Sequence, residues 1–231
     1  MNTIKLYHIS YDLSEPLDKK FIPKIPSNPA TGEDESIPRI CLCDSIEGCI
    51  NAAEDKLGNY EDTDIATIIV WEKEFSLLDD KLICWQQLYE DDLVPDAALT
   101  HEYWYLEPLH MKGSLYKILN VNDAISNKKI VYIIKPKYKE KVLYILADYG
   151  INLDGIKNID LYTLINEWLP SVLPEKLDVI IEKLMEEIRV IDNADIDYSI
   201  FDIVDTNSKQ NTILDMDYQR IYYNLVIRKD S

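Results

Sequence analysis

The chain has 231 residues, 47% of them hydrophobic, enough to bury a core in one large or two small domains. Its formal net charge of −18, from 42 acidic and 24 basic residues, argues against direct binding to nucleic-acid backbones and favours either a protein partner with a basic surface or simply high solubility. No apolar run approaches the roughly 20 residues of a membrane span, and the first residues lack the basic-then-apolar layout of a secretion signal, so no membrane contact and a cytoplasmic location are expected.

In chain order, residues 3 to 9 read as a strand that runs out in Tyr7-His8-Ile9-Ser10. Residues 10 to 38 read as a long loop with five prolines; loops of that length in a compact domain tend to be functional or disordered, and this one is a candidate to cover a site. A second strand, residues 39 to 43, follows Pro38, and Asp44 or Ser45 caps a helix through about Leu57, with Gly58-Asn59 as its stop. Ile65 to Glu74 alternates and is β-branched, a strand; Lys81 to Trp85 is a shorter one. The aromatic run Thr100 to Leu106 is a strand whose period of two puts His101, Tyr103 and Tyr105 on one face and Glu102, Trp104 and Leu106 on the other. Glu102 thus shares a face with apolar neighbours; a carboxylate there sits either at the strand's exposed start or partly buried, and burial would raise its pKa.

The remainder reads as a more helical unit. Ile130 to Ile134 is a short strand, and Lys137 to Tyr149 is a helix stopped by Gly150. Further helices are expected around Leu161 to Trp168 and from Pro174 to Val190, with strands near Tyr198 to Val204 and Arg220 to Ile227. The acids are unevenly spread: residues 1 to 125 hold 24 acidic and 10 basic residues, residues 126 to 231 hold 18 and 14. The expected class is α+β, with a mixed, mainly antiparallel sheet in unit 1–125 and a helix-rich unit 126–231 that could dock into one globule.

The six glycines are scattered, so neither a dinucleotide fingerprint nor a phosphate-cradling glycine loop can be built. Cys41, Cys43 and Cys49, with three histidines elsewhere, supply soft ligands at only one place in the chain; they read as small buried hydrophobes, and no metal site is assigned. Asp215-x-Asp217 reads as a turn. The lysines at 128, 129, 135, 137, 139 and 141 form the one basic strip, which could face an acidic partner or, the preferred reading, offset the chain's own acidic half.

Tyr7-His8-Ile9-Ser10, then Ile40-Cys41-Leu42-Cys43-Asp44-Ser45 opening a helix, then Glu102 in an aromatic strand, resembles the three-part layout of ADP-ribosyltransferase-like folds. The resemblance covers residues 1 to 125 and implies NAD as cosubstrate. His8 would meet its ribose, Ser45 would support the nicotinamide, and Glu102 would assist transfer of ADP-ribose to a macromolecular target. Arg39 and the helix start at Ser45 would supply positive potential for the pyrophosphate. The segment from Phe21 to Cys49 also resembles uncharacterised proteins of bacteriophages and their hosts. The alternative is a non-enzymatic acidic inhibitor of phage type, which imitates nucleic-acid phosphates and fills a basic groove of a host protein. Each residue also has a structural reading: His8 as a packed histidine, Ser45 as an N-cap, Glu102 as a partner for a neighbouring strand, and Arg39 as a tie for the acidic loop Glu33 to Glu35.

Overall fold

A computed structural model of the chain describes residues 3–27, 29, 33–53, 56–60, 63–184, 186 and 219–230. Its elements run β1 (Thr3–Ser10), β2 (Asp18–Phe21), β3 (Ile40–Cys43), α1 (Ile46–Ala52), β4 (Ala66–Ser76), β5 (Leu82–Ile83), α2 (Trp85–Glu90), α3 (Ala97–Thr100), β6 (Glu102–Tyr105), β7 (Leu109–Ile118), α4 (Val121–Ser126) and β8 (Lys129–Tyr132). They continue with α5 (Lys139–Asp148), α6 (Leu161–Thr163), a π-helical stretch Leu164–Trp168, α7 (Leu169–Val172), β9 (Gln219–Tyr222) and β10 (Ile227–Lys229). The protein is α+β, with an antiparallel sheet in the N-terminal half and helices later.

That sheet has the order β10-β7-β4-β1-β3-β6-β5, with β2 also on β7. Its centre is the long β1–β4 ladder, Thr3 opposite Ser76 through Ser10 opposite Ile69, followed by β4–β7, Ala66 opposite Ile118 through Glu72 opposite Lys112. Alternation along β4 explains why both faces are covered. Ile68 and Val70 join Ile50, Leu57, Ile118 and Val121 in one apolar cluster, while Ile69 and Trp71 join Leu6, Leu42, Tyr103 and Met111 in another. Burial of each such side chain stabilises the fold by roughly 1.5–3 kcal/mol before entropy is counted.

Contacts divide the chain into two compact units, Met1–Ile130 with Ile221–Ser231, and Val131–Arg220. The second unit has its own core, in which Val142, Ile145 and Leu146 of α5 meet Leu161, Leu164, Ile165, Leu169, Ile180 and Leu184. Gly150, at φ +78°, ends α5 in the left-handed region that glycine enters without strain. No helix among the described residues is long and apolar enough to cross a membrane.

Several elements differ from the sequence reading. The loop 10 to 38 is not all loop: Asp18–Phe21 pairs with β7, and Lys24 bridges Arg39. The aromatic strand starts at Glu102, because Thr100 closes α3 and His101 caps it at φ +49°; His101 therefore leaves the face expected for it. The expected strand Lys81 to Trp85 shrinks to Leu82–Ile83, and Trp85 opens α2. The expected strand Arg220 to Ile227 divides, its first part pairing with β8 and its last residue opening β10, which joins β7. Residues 187 to 190 of the helix expected from Pro174, the strand expected at Tyr198 to Val204, and Asp215-x-Asp217 lie outside the described residues.

Candidate functional site

The site is built on three neighbouring strands. Tyr7 of β1 stands opposite Cys43 of β3, and Cys43 stands opposite Glu102 of β6, so these three positions form one row across the sheet. Partners in an antiparallel ladder project to the same face, here the face that α1 covers, where the Cys49 thiol donates to the Tyr7 carbonyl at 3.2 Å. The β1–β3 ladder is confined to the Tyr7–Cys43 pair, whereas β3 and β6 match at four positions. Past that pair the seam between β1 and β3 is bridged by a side chain: His8 Nδ1–H donates to the Cys41 carbonyl at 2.9 Å.

A cleft of about 370 Å³ opens along this seam. His8, Ile9 and Ser10 line it from β1, Cys41 and Cys43 from β3, Cys49 and Ala52 from α1, and Glu102 from β6. The long loop contributes Glu15, Pro26 and Glu33, as a site-covering segment does, and Lys56 supplies a cation at the rim. Its size falls within the range of small-molecule pockets.

Glu102 is 7% exposed, and burial, reinforced by the charges of Glu33 and Asp96, pushes its carboxyl up to about 7. Two contacts oppose that rise, the Cys41 thiol and the Trp104 indole, whose Nε1–H donates to Glu102 Oε1 at 2.7 Å. A carboxylic acid poised near neutrality can work in either protonation state. Ligand atoms of Glu33, Cys41 and Glu102 lie within 4.8 Å of one another, but the Glu33 carboxylate is taken up by Arg39, so the cluster is not assigned to a metal.

His8 reaches the cleft from the other side of the sheet. Its ring packs edge-on against Phe21, centroids 4.8 Å apart, and tilts against Trp71 at 6.0 Å. Burial lowers its pKa, and the bond to Cys41 fixes the proton on Nδ1, so Nε2 is an acceptor. His8 and Glu102 therefore share the seam while their side chains project to opposite faces.

The other two expected binding residues have structural work. Arg39 is 2% exposed; its Nη2 pairs with Glu33, its Nη1 donates to the Ile37 carbonyl at 2.9 Å, and its guanidinium lies 3.9 Å from the Trp104 ring centroid. It is a tie for the acidic loop. Ser45 is the N-cap of α1, its hydroxyl accepting from the Gly48 N–H at 2.9 Å. Neither lines the cleft; among the described residues that do, Lys56 is the cation placed to meet an anionic ligand.

Trp104 and Lys56 were not singled out in the sequence. A signal for Trp104 existed: at i+2 from Glu102 on a strand it must share the carboxylate's face, and a buried indole N–H seeks an acceptor. For Lys56 there was none, because only the tertiary fold brings it to the seam. His101 forms a separate cluster, stacked on Trp85 at 4.5 Å and 2.9 Å from Asp44 Oδ2. Comparison of the chain with protein-family models, curated proteins and solved structures gives no match.

Proposed function

We propose that the chain is an ADP-ribosyltransferase-like protein that takes NAD in the β1–β3 seam and transfers ADP-ribose to a macromolecular target in the cytoplasm. One observation carries this reading: the strands bearing His8, the Cys41–Cys43 segment and Glu102 are neighbours in the order β1–β3–β6, and one cleft is lined by all three. In this reading the ionised Glu102 accepts a hydrogen bond from a ribose hydroxyl and offsets the positive charge that grows on the sugar as the bond to nicotinamide breaks. The nicotinamide leaves with that electron pair, the target's nucleophile bonds to the same carbon, and the proton of the nucleophile passes to solvent. His8 Nε2 accepts a hydroxyl at the seam, and Lys56 meets the pyrophosphate.

The test is calorimetric titration of the protein with NAD beside Glu102→Gln and His8→Ala. Micromolar binding that His8→Ala abolishes and Glu102→Gln preserves supports the reading. Absence of heat and of any thermal shift at millimolar NAD overturns it.

A second reading rests on the charge of −18 and on solvated acids such as Asp80, whose side chain is 84% exposed. Here the protein is a phage-type acidic inhibitor that occupies a basic groove of a host protein without turnover. Its binding weakens steeply with salt and is lost when the acidic loops are neutralised.

A further inference from the structure

We propose that Trp104 is the positioning residue of the Glu102 carboxylate, its indole N–H holding Oε1 while the Arg39 guanidinium keeps the ring in place. The hydrogen bond is 2.7 Å long and links two buried side chains. The groups facing Glu102 are otherwise poorly suited to orient an anion. Glu33 and Asp96 repel it, the Cys41 and Cys43 thiols are weak donors, and the guanidinium of Arg39 is engaged by Glu33 and Ile37.

Trp104 itself has little freedom. It is fully buried, stands between Cys41 of β3 and Ile83 of β5 in the ladder, and carries Arg39 3.9 Å above its ring. With Oε1 held by the indole and only the weak donor of the Cys41 thiol beside it, the carboxylate keeps capacity to accept from a ligand hydroxyl. The same bond lowers the Glu102 pKa against the rise that burial imposes. The catalytic consequence rests on the transferase reading; the positioning does not.

The experiment is Trp104→Phe, which keeps an aromatic ring and removes the N–H. The Glu102 carboxyl is followed by ¹³C NMR of side-chain-labelled protein, with no ligand present. The expected result is an upward move of its titration midpoint by about one pH unit, the size of a lost hydrogen bond to a charged group. The pH profile of NAD turnover moves by the same amount. A midpoint that stays in place in folded protein overturns the proposal. If Trp104→Phe does not fold, the same titration with benzothienylalanine at position 104, which exchanges the N–H for sulfur at nearly equal volume, decides the matter. A midpoint that moves in a protein that ignores NAD supports the positioning role and removes the transferase reading; NAD turnover with an unmoved midpoint does the reverse.

Discussion

Gly48 lies so close to the carbonyl oxygen of Thr100 that a Cβ on residue 48 would overlap it, with the Ser45 hydroxyl a further 2.9 Å contact. This approach lets α1 sit against the end of α3 and so sets the α1 wall of the cleft. Gly48→Ala forces the helix away from backbone that cannot yield. The expected loss is about 1–3 kcal/mol despite the better helix propensity of alanine, read as a lower urea midpoint at unchanged slope.

Glu102 also governs a pH dependence of stability. Its folded pKa, about 7, stands above the unfolded value of 4.5, so the native state holds the proton more tightly. The associated stability is fully present below about pH 4.5 and is lost as pH rises through about 7. Glu102→Gln carries no such titration. Its stability relative to the wild type should rise across that window by on the order of 3 kcal/mol, and urea unfolding at pH 4.5 and pH 8 measures the difference. An equal difference at both values contradicts the assignment.

The two cleft thiols of β3, Cys41 and Cys43, should be inert. Burial, then the neighbouring Glu102, pushes the Cys41 thiol up, while contact with Cys49 and then burial do the same for Cys43. Iodoacetamide at pH 8 is expected to leave both unmodified in the native protein and to reach all four cysteines in denaturant, as peptide mass spectrometry shows. Rapid labelling of Cys41 would mean a cleft far more open than its 370 Å³ outline.

Asn51 ties residues distant in sequence to α1. Its Oδ1 accepts from the Tyr223 N–H at 2.9 Å, and Glu47 accepts from the Leu225 N–H at 3.3 Å. Asn51→Ala strands a buried N–H, a loss of about 1–3 kcal/mol. Hydrogen exchange should quicken in the peptide 221 to 229 well before it quickens in β1 or β4.

How much of this was legible follows from where the signal lies. β1 was readable because Ile4 and Leu6 alternate with polar residues, and β4 because it is a run of β-branched and apolar residues, Ile68 to Trp71, buried on both faces. Asp18–Phe21 was not, since a charged tetrapeptide is a strand only because β7 offers it an edge. β7 itself, with Gly113 at its middle and lysines at 112 and 117, has no clean alternation; its glycine is set by Trp71, whose Nε1 would stand 2.9 Å from an added Cβ. The apolar face of Glu102 left two readings open, an exposed strand start and burial, and the fold selects burial; the N-cap reading of Ser45 followed from its place before a helix. The roles of Glu33 and Asp96 beside Glu102 were hidden, because through-space charge leaves no periodic trace in a sequence.

The return of residues 227 to 229 to the sheet has a consequence for synthesis. A ribosome releases β1 through β7 long before β10, so the edge of β7 at Tyr116 to Ile118 must wait, unpaired, while some hundred residues are made. The first unit to appear is thus the last to be finished. A nascent chain arrested before residue 221 should bind holdase chaperones through that edge, and release of the final strand should end the association.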